Sequence, residues 1–199
     1  MNPDAGTTSL SLLVRVKARD DDAWARLVEL YGPLVFHWTQ KAGLDEHSGS
    51  DVLQEVFSAV AKSIEGYRQR NCSDSFRGWL YTITRNKVRD HYRSHANSET
   101  ARGGSSANHA MNSIAESEDE YTGTQQLSEL FHRALELVKS EFEPRTWSAF
   151  WRSAVEGERT RDIAADLGMS ANNVRQAKSR VLRRLRSELG DVESCLLGD

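Results

Sequence analysis

Cysteine is scarce in this chain. Its 199 residues include only Cys72 and Cys195, far apart and in no C-x-x-C pair. Neither a disulfide framework nor a cysteine-based zinc site is indicated, and isolated intracellular thiols are usually inert. Long hydrophobic runs are missing too: nothing approaches the roughly 18 to 20 apolar residues a membrane span needs. The N-terminal MNPDAGTTSL lacks the basic and apolar regions of a signal peptide, so a cytoplasmic chain without membrane insertion is expected. No G-x-x-x-x-G-K-[ST], G-x-S-x-G or H-E-x-x-H motif occurs, which removes the commonest signatures of enzyme chemistry. Period-two strand patterns are also absent. His91 and His95 have the i, i+4 spacing of a metal pair, but no third and fourth ligands stand nearby. The carboxylates of Asp20, Asp21 and Asp22 suit a helix start better than a metal. No enzyme activity, no metal and no cofactor are expected.

Charge is abundant but unevenly placed. The formal net charge is only −3, with 28% charged and 38% hydrophobic residues. From Glu65 to Arg93 there are seven Lys/Arg against three acids, and from Glu158 to Leu189 eight against four. Between these islands, Ser94 to Thr122 holds one Arg and five acids. Local positive fields, not the whole-chain average, decide where phosphates dock. The intervening SHANSETARGGSSANHAMNSIAESEDEYTGT is nearly devoid of large apolar residues. It cannot bury enough surface to offset its ordering entropy, which marks residues 95–124 as a flexible acidic linker between domains at 8–94 and 125–190.

Both halves have helical periodicity, which predicts an all-α fold of two small helical bundles. Trp24, Leu27, Val28 and Tyr31 follow helical spacing after the three aspartates. Pro33 is expected to open a further helix that Gly43 closes. Ser50 is expected to cap DVLQEVFSAVAKSI, whose stripe is Leu53, Val56, Phe57, Val60 and Ile64. Opposite that stripe stand Asp51, Gln54 and Glu55. Ser73 or Asp74 would cap FRGWLYTITRNKVRDHYRS, with Phe76, Trp79, Leu80 and Ile83 inward and Arg85, Arg89 and Arg93 on another face. Aromatics beside arginines can suit unstacked single-stranded bases, although a buried aromatic set beside a solvated stripe gives the same pattern. After the linker, Leu127, Leu130, Phe131, Leu135 and Val138 mark one helix, and Pro144 opens another with Trp147, Phe150 and Trp151 inside.

The last segment, RDIAADLGMSANNVRQAKSRVLRRLRSEL, has the skeleton of a helix-turn-helix. Thr160 is expected to cap its first helix and Ser170 its second, with Gly168 at the left-handed turn position. Ala164 is small at the crossing, and Val174, Ala177, Val181 and Leu185 face inward. Ser170, Asn172, Asn173, Arg175, Gln176, Ser179 and Arg180 are the candidate DNA contacts, since Asn, Gln and Arg make bidentate bonds to base edges. Lys178, Arg180, Arg183, Arg184 and Arg186 are candidates for phosphates.

In order, DDAWARLVELYGPLVFHW, DVLQEVF, FRGWLYTITRNKVRDHYR, a polar linker and the terminal helix-turn-helix resemble a bacterial extracytoplasmic-function (ECF) sigma factor. The D-x-x-Q-E and F-R-x-W-L…R-N…D-x-x-R runs carry the resemblance; the helix-turn-helix alone is less distinctive. The resemblance implies a region 2 whose Asp51, Gln54 and Glu55 dock on the polymerase β′ clamp helices. It gives Arg85, Asn86, Arg89 and Arg93 to the −10 element, with the preceding loop helping to hold an extruded base. It implies a region 4 that lays its recognition helix in the −35 major groove and its body on the β flap. RNA polymerase core, promoter DNA and an anti-sigma factor are the implied partners. Departures are the heavier aromatic FEPRTWSAFWRSAVEGE and the NNVR start of the recognition helix, which bear on the −35 sequence rather than on docking. A helix-turn-helix regulator that never joins the polymerase would share the C-terminal hairpin and have no need of the Asp51/Gln54/Glu55 face. A recombinase-like enzyme would need a carboxylate triad or a Ser/Tyr nucleophile, which the sequence does not offer.

Overall fold

The computed structural model describes residues 11–68, 75–99 and 124–189. Among them lie eight α-helices, one 3-10 turn and no strand, in agreement with the all-α expectation. Two compact units emerge, one formed by the described residues from Leu13 to Leu130 and the other by Leu12 with the described residues from Phe131 onward, and most of every helix lies within a single unit. The linker acids Glu116, Glu118, Asp119 and Glu120 and the alternative caps Ser73 and Asp74 lie outside the described residues.

The N-terminal unit comprises α1 (Leu12–Lys17), α2 (Asp21–Lys41), α3 (Glu46–Ser63), a 3-10 turn (Ile64–Gly66) and α4 (Phe76–Glu99). Asp20 is the N-cap of α2, its carboxylate accepting from the Ala23 amide at 3.0 Å, and Asp21 and Asp22 face the positive helix end. Pro33 does not open a helix; α2 runs through it. An internal proline loses one helical hydrogen bond and crowds the carbonyl four residues back, costing about 3 kcal/mol in isolation. Here Pro33 and Glu29 are both exposed, so the orphaned carbonyl can turn to water. Leu30, Tyr31, Leu34, Val35 and Trp38 are buried on either side, and that packing favours one continuous helix. Gly43 ends α2 as expected, at φ +86°. The Gly43 amide bonds the Gln40 carbonyl at 2.9 Å and the Leu44 amide that of Thr39 at 3.1 Å, satisfying the last turn.

Helix α3 begins earlier than Ser50. Asp45 caps it, accepting from the Ser48 amide at 2.8 Å, while the Ser50 hydroxyl donates back to the Glu46 carbonyl. Serine serves both roles with similar ease, so its type did not discriminate. Val56, Phe57, Val60 and Ile64 are buried and Leu53 is half-buried. Helices α2, α3 and α4 pack mutually. Gly49 of α3 lies close against α2, where an added Cβ would lie 2.9 Å from Thr39 Oγ1. On α4, Ser75 accepts from the Gly78 amide at 3.1 Å and caps the helix. Phe76 and Leu80 are buried, whereas Trp79 and Ile83 are only half-buried; Tyr81, Thr84 and Val88 complete the inner face.

The C-terminal unit includes α5 (Thr124–Lys139), α6 (Pro144–Ala154), α7 (Thr160–Asp166) and α8 (Ala171–Leu189). Leu130, Leu135 and Val138 of α5 are buried, and Phe131 is 38% exposed. On α6 Phe150 is buried while Trp147 and Trp151 are half-buried, their rings stacked at 6.3 Å. Thr160 is not a cap: Arg159 holds that position without a side-chain bond, and Thr160 is the first helical residue. Helices α6, α7 and α8 share a core of Ala149, Ile163, Ala164, Val174 and Ala177.

Candidate nucleic-acid and partner-binding surfaces

The turn between α7 and α8 is closed as the sequence indicates. Gly168 has φ +58°, and the Met169 amide bonds the Ala164 carbonyl at 2.9 Å. Ser170 accepts from the Asn173 amide at 3.0 Å and caps α8. Its hydroxyl oxygen is thus engaged at the helix start, although the residue is exposed. Val174, Ala177, Val181 and Leu185 are all buried. That register leaves Asn172, Asn173, Arg175, Gln176, Lys178, Ser179, Arg180 and Arg183 exposed. The side chains needed for base and phosphate contacts therefore line the outer surface of α8 from its first turn.

Not every arginine belongs to that surface. The Arg184 guanidinium bonds Glu141 at 2.5 and 2.9 Å and pairs with Glu188, which is 2% exposed. It ties α8 to the turn after α5 and is removed from the expected phosphate contacts. Arg152 bonds both carboxylate oxygens of Glu158, at 2.8 and 2.6 Å, and Asp166 at 2.7 Å. One guanidinium so joins α6, the following turn and α7. These bonds raise the Arg152 pKa, and its hydrogen bond to Glu158 holds that carboxyl below its usual value. Arg145 donates to the Gly168 carbonyl and braces the helix-turn-helix turn. Sequence reasoning missed these braces because most of their partners lie in other turns and helices.

In the N-terminal unit Asp51, Gln54 and Glu55 are exposed together on α3, with Val52 and Val56 buried behind them. Asp51 lies 3.8 Å from His47, and Glu55 lies 3.3 Å from Lys87 of α4. Lys87, which the candidate set omitted, thus connects the acidic face to the arginine helix. On α4 Asn86 and Arg93 are exposed, the latter 4.0 Å from Asp90. Arg85 and Arg89 are half-buried, and Arg85 Nε is a buried donor with no hydrogen-bond partner. The His91 and His95 rings stand 4.3 Å apart; burial and then the His95 charge lower the His91 pKa. No group of three or more metal-ligating side chains occurs among the described residues.

At the start of α4, Tyr67, Phe76 and Trp79 form a three-ring cluster with centroids 5.0 to 5.7 Å apart. Trp79 keeps part of its surface exposed.

The sequence profile of Sigma-70 region 2 matches residues 27–98, and that of Sigma-70, region 4 matches residues 128–185. The chain belongs to the sigma-70 family. The chain is 25% identical over 178 residues to the ECF RNA polymerase sigma factor SigE of Mycolicibacterium smegmatis, a likeness covering 86% of this chain. The chain spans only 63% of that relative's length. A solved structure of CnrH in complex with the cytosolic domain of CnrY aligns at 19% identity and a TM-score of 0.37, covering 88% of this chain and 93% of that one. The RsbN-BldN complex aligns at 18% identity and a TM-score of 0.36, covering 87% and 96%. In family terms α3 and α4 belong to region 2, and α6 to α8 to region 4. The family is not enzymatic in general. No helix among the described residues is long and apolar enough to cross a membrane.

Proposed function

We propose that the chain is a sigma initiation factor that directs core RNA polymerase to specific promoters and aids their opening. Residues 8–94 serve as region 2 and 125–190 as region 4, joined by a flexible acidic linker at 95–124. Asp51, Gln54 and Glu55 dock on the β′ clamp helices. Arg85, Asn86, Arg89 and Arg93 face the −10 element. Ser170, Asn172, Asn173, Arg175, Gln176, Ser179 and Arg180 face the −35 element, and the body of region 4 meets the β flap. The chain works in the cytoplasm without a cofactor or catalytic residues of its own, and an anti-sigma factor is its regulatory partner.

The observation that carries this reading is the presence of all three polar sets on helices of one chain. The acidic set lies on α3, the arginine set on α4 and the base-reading set on α8, each backed by buried apolar residues of its own helix. A regulator that never joins polymerase has no use for the first two. Two weak DNA contacts held on one platform gain from effective concentration, so each half alone binds poorly. The test is run-off transcription by core polymerase with and without the chain, on templates selected from a random promoter library. Discrete start sites that depend on the chain support the reading; identical products in both reactions reject it.

A further inference from the structure

We infer that Lys17 is a positioning residue for the −10 surface, holding from α1 the Tyr67 backbone and ring against which Trp79 of α4 packs. The inference rests on the sigma reading of α4.

Lys17 Nζ donates to the Tyr67 carbonyl at 2.7 Å and stands 5.4 Å from the centroid of the Tyr67 ring. Two interactions of one ammonium thus fix both the backbone and the ring of a residue fifty positions away in sequence. Arg68 Nη1 donates to the same carbonyl at 3.0 Å and to the Glu65 carbonyl at 2.5 Å. The Tyr67 ring lies 5.0 Å from Trp79 and 5.7 Å from Phe76, and Phe76 lies 5.1 Å from Tyr31 in the core. The path from α1 to the exposed edge of Trp79 is therefore continuous: ammonium, tyrosine, tryptophan. An aromatic surface holds a stacked base well only if its rings are kept in place by neighbours.

A second, independent feature points the same way. Arg19 has φ +59°, a left-handed conformation that costs a non-glycine residue about 1 to 2 kcal/mol. It closes α1, with its amide on the Val16 carbonyl at 3.0 Å and the Asp20 amide on the Arg15 carbonyl at 3.2 Å. Glycine would be the easier residue there. Arginine instead reaches Glu65 at 3.1 Å, beside the segment that Lys17 grips. Arg15 bonds Asp20, the cap of α2, at 2.8 Å. Lys17 and Arg19 thus both reach the Glu65–Tyr67 segment, while Arg15 fixes the junction of α1 with α2. Burial and the nearby Arg68 charge lower the Lys17 pKa, as expected for an ammonium pressed into this site. Lys17 precedes the residues matched by the region 2 profile, so the family pattern does not assign it a role.

The test uses holoenzyme formed from the full chain and core polymerase. The probe is the single-stranded −10 segment that wild-type holoenzyme enriches from a randomised oligonucleotide pool. Lys17→Met keeps the apolar stem and removes the donor; Lys17→Arg keeps a cation. Lys17→Met is expected to weaken capture of the probe about tenfold, the scale of one impaired base stack. Affinity for core polymerase and for −35 duplex stays unchanged, and Lys17→Arg restores most of the capture. Unchanged capture by Lys17→Met, or an equal loss in Lys17→Arg, overturns the inference and leaves the sigma reading intact. If wild-type holoenzyme enriches no sequence, the sigma reading fails and the inference falls with it. Hydrogen exchange separates positioning from general destabilisation. Faster exchange confined to Ile64–Tyr67 and Phe76–Trp79 in Lys17→Met supports the inference, and a uniform rise across the chain overturns it.

Discussion

The helices that carry the candidate DNA contacts are braced differently in the two units. In the C-terminal unit Arg145, Arg152 and Arg184 brace turns and helix ends, while Arg175, Arg180 and Arg183 stand outside on α8. In the N-terminal unit the bracing around α4 is aromatic, through Tyr31, Tyr67, Phe76, Trp79, Trp38 and Tyr81. A basic run is therefore a poor guide to a nucleic-acid surface by itself. What separates a brace from a contact is whether a carboxylate or backbone carbonyl from another element lies within reach.

The largest expected effect comes from breaking a brace. Arg184→Ala leaves Glu188 buried without its guanidinium partner and should cost the C-terminal unit about 3 kcal/mol in denaturant unfolding, near the low end for broken buried pairs. Arg175→Ala, one exposed contact on the same helix, should leave stability unchanged and weaken −35 discrimination by about 1 to 3 kcal/mol. Equal loss on every −35 sequence would make Arg175 a phosphate contact instead. In the other unit Gly49→Ala should cost about 1 to 2 kcal/mol, because its Cβ would press Thr39 Oγ1 at 2.9 Å and outweigh the gain in helix propensity. Glu55→Gln breaks only a partly exposed pair with Lys87 and should change stability by no more than about 1 kcal/mol, while measurably weakening core-polymerase binding.

Acid should also distinguish the units, more gently. The folded pKa of His91 lies below its ordinary 6.5, so the unfolded chain takes up this proton first. Its effect is to destabilise the N-terminal unit as pH falls below 6.5. Glu158 contributes stability above its unfolded value near 4.5, and that contribution is lost only as pH falls further, through its lower folded pKa. Thermal melts at stepped pH, followed with a probe in each unit, would show the histidine effect first.

Local chemistry was legible in the sequence. The Asp20 and Ser170 caps, the turns at Gly43 and Gly168, and the inward set Val174, Ala177, Val181 and Leu185 all follow from residue type and spacing. What escaped depends on distant partners. Pro33 signals a helix start by itself, yet burial of Tyr31, Leu34 and Val35 carries α2 through it. Arg184 has the pattern of a phosphate contact until Glu141 arrives from another element. Lys17 has no local signal at all, because its partner is the backbone of Tyr67. For the candidate surfaces, periodicity located the exposed sides of α3 and α8 but could not tell which cations were already engaged.

The most direct test of the central claim reverses the charge of the α3 face. A chain carrying Asp51→Lys and Glu55→Lys would be compared with wild type in run-off transcription with core polymerase, with helical content checked by circular dichroism. The expected result is loss of the chain-dependent transcript at unchanged helicity. A charge-reversed chain that still yields wild-type transcript levels would contradict the account.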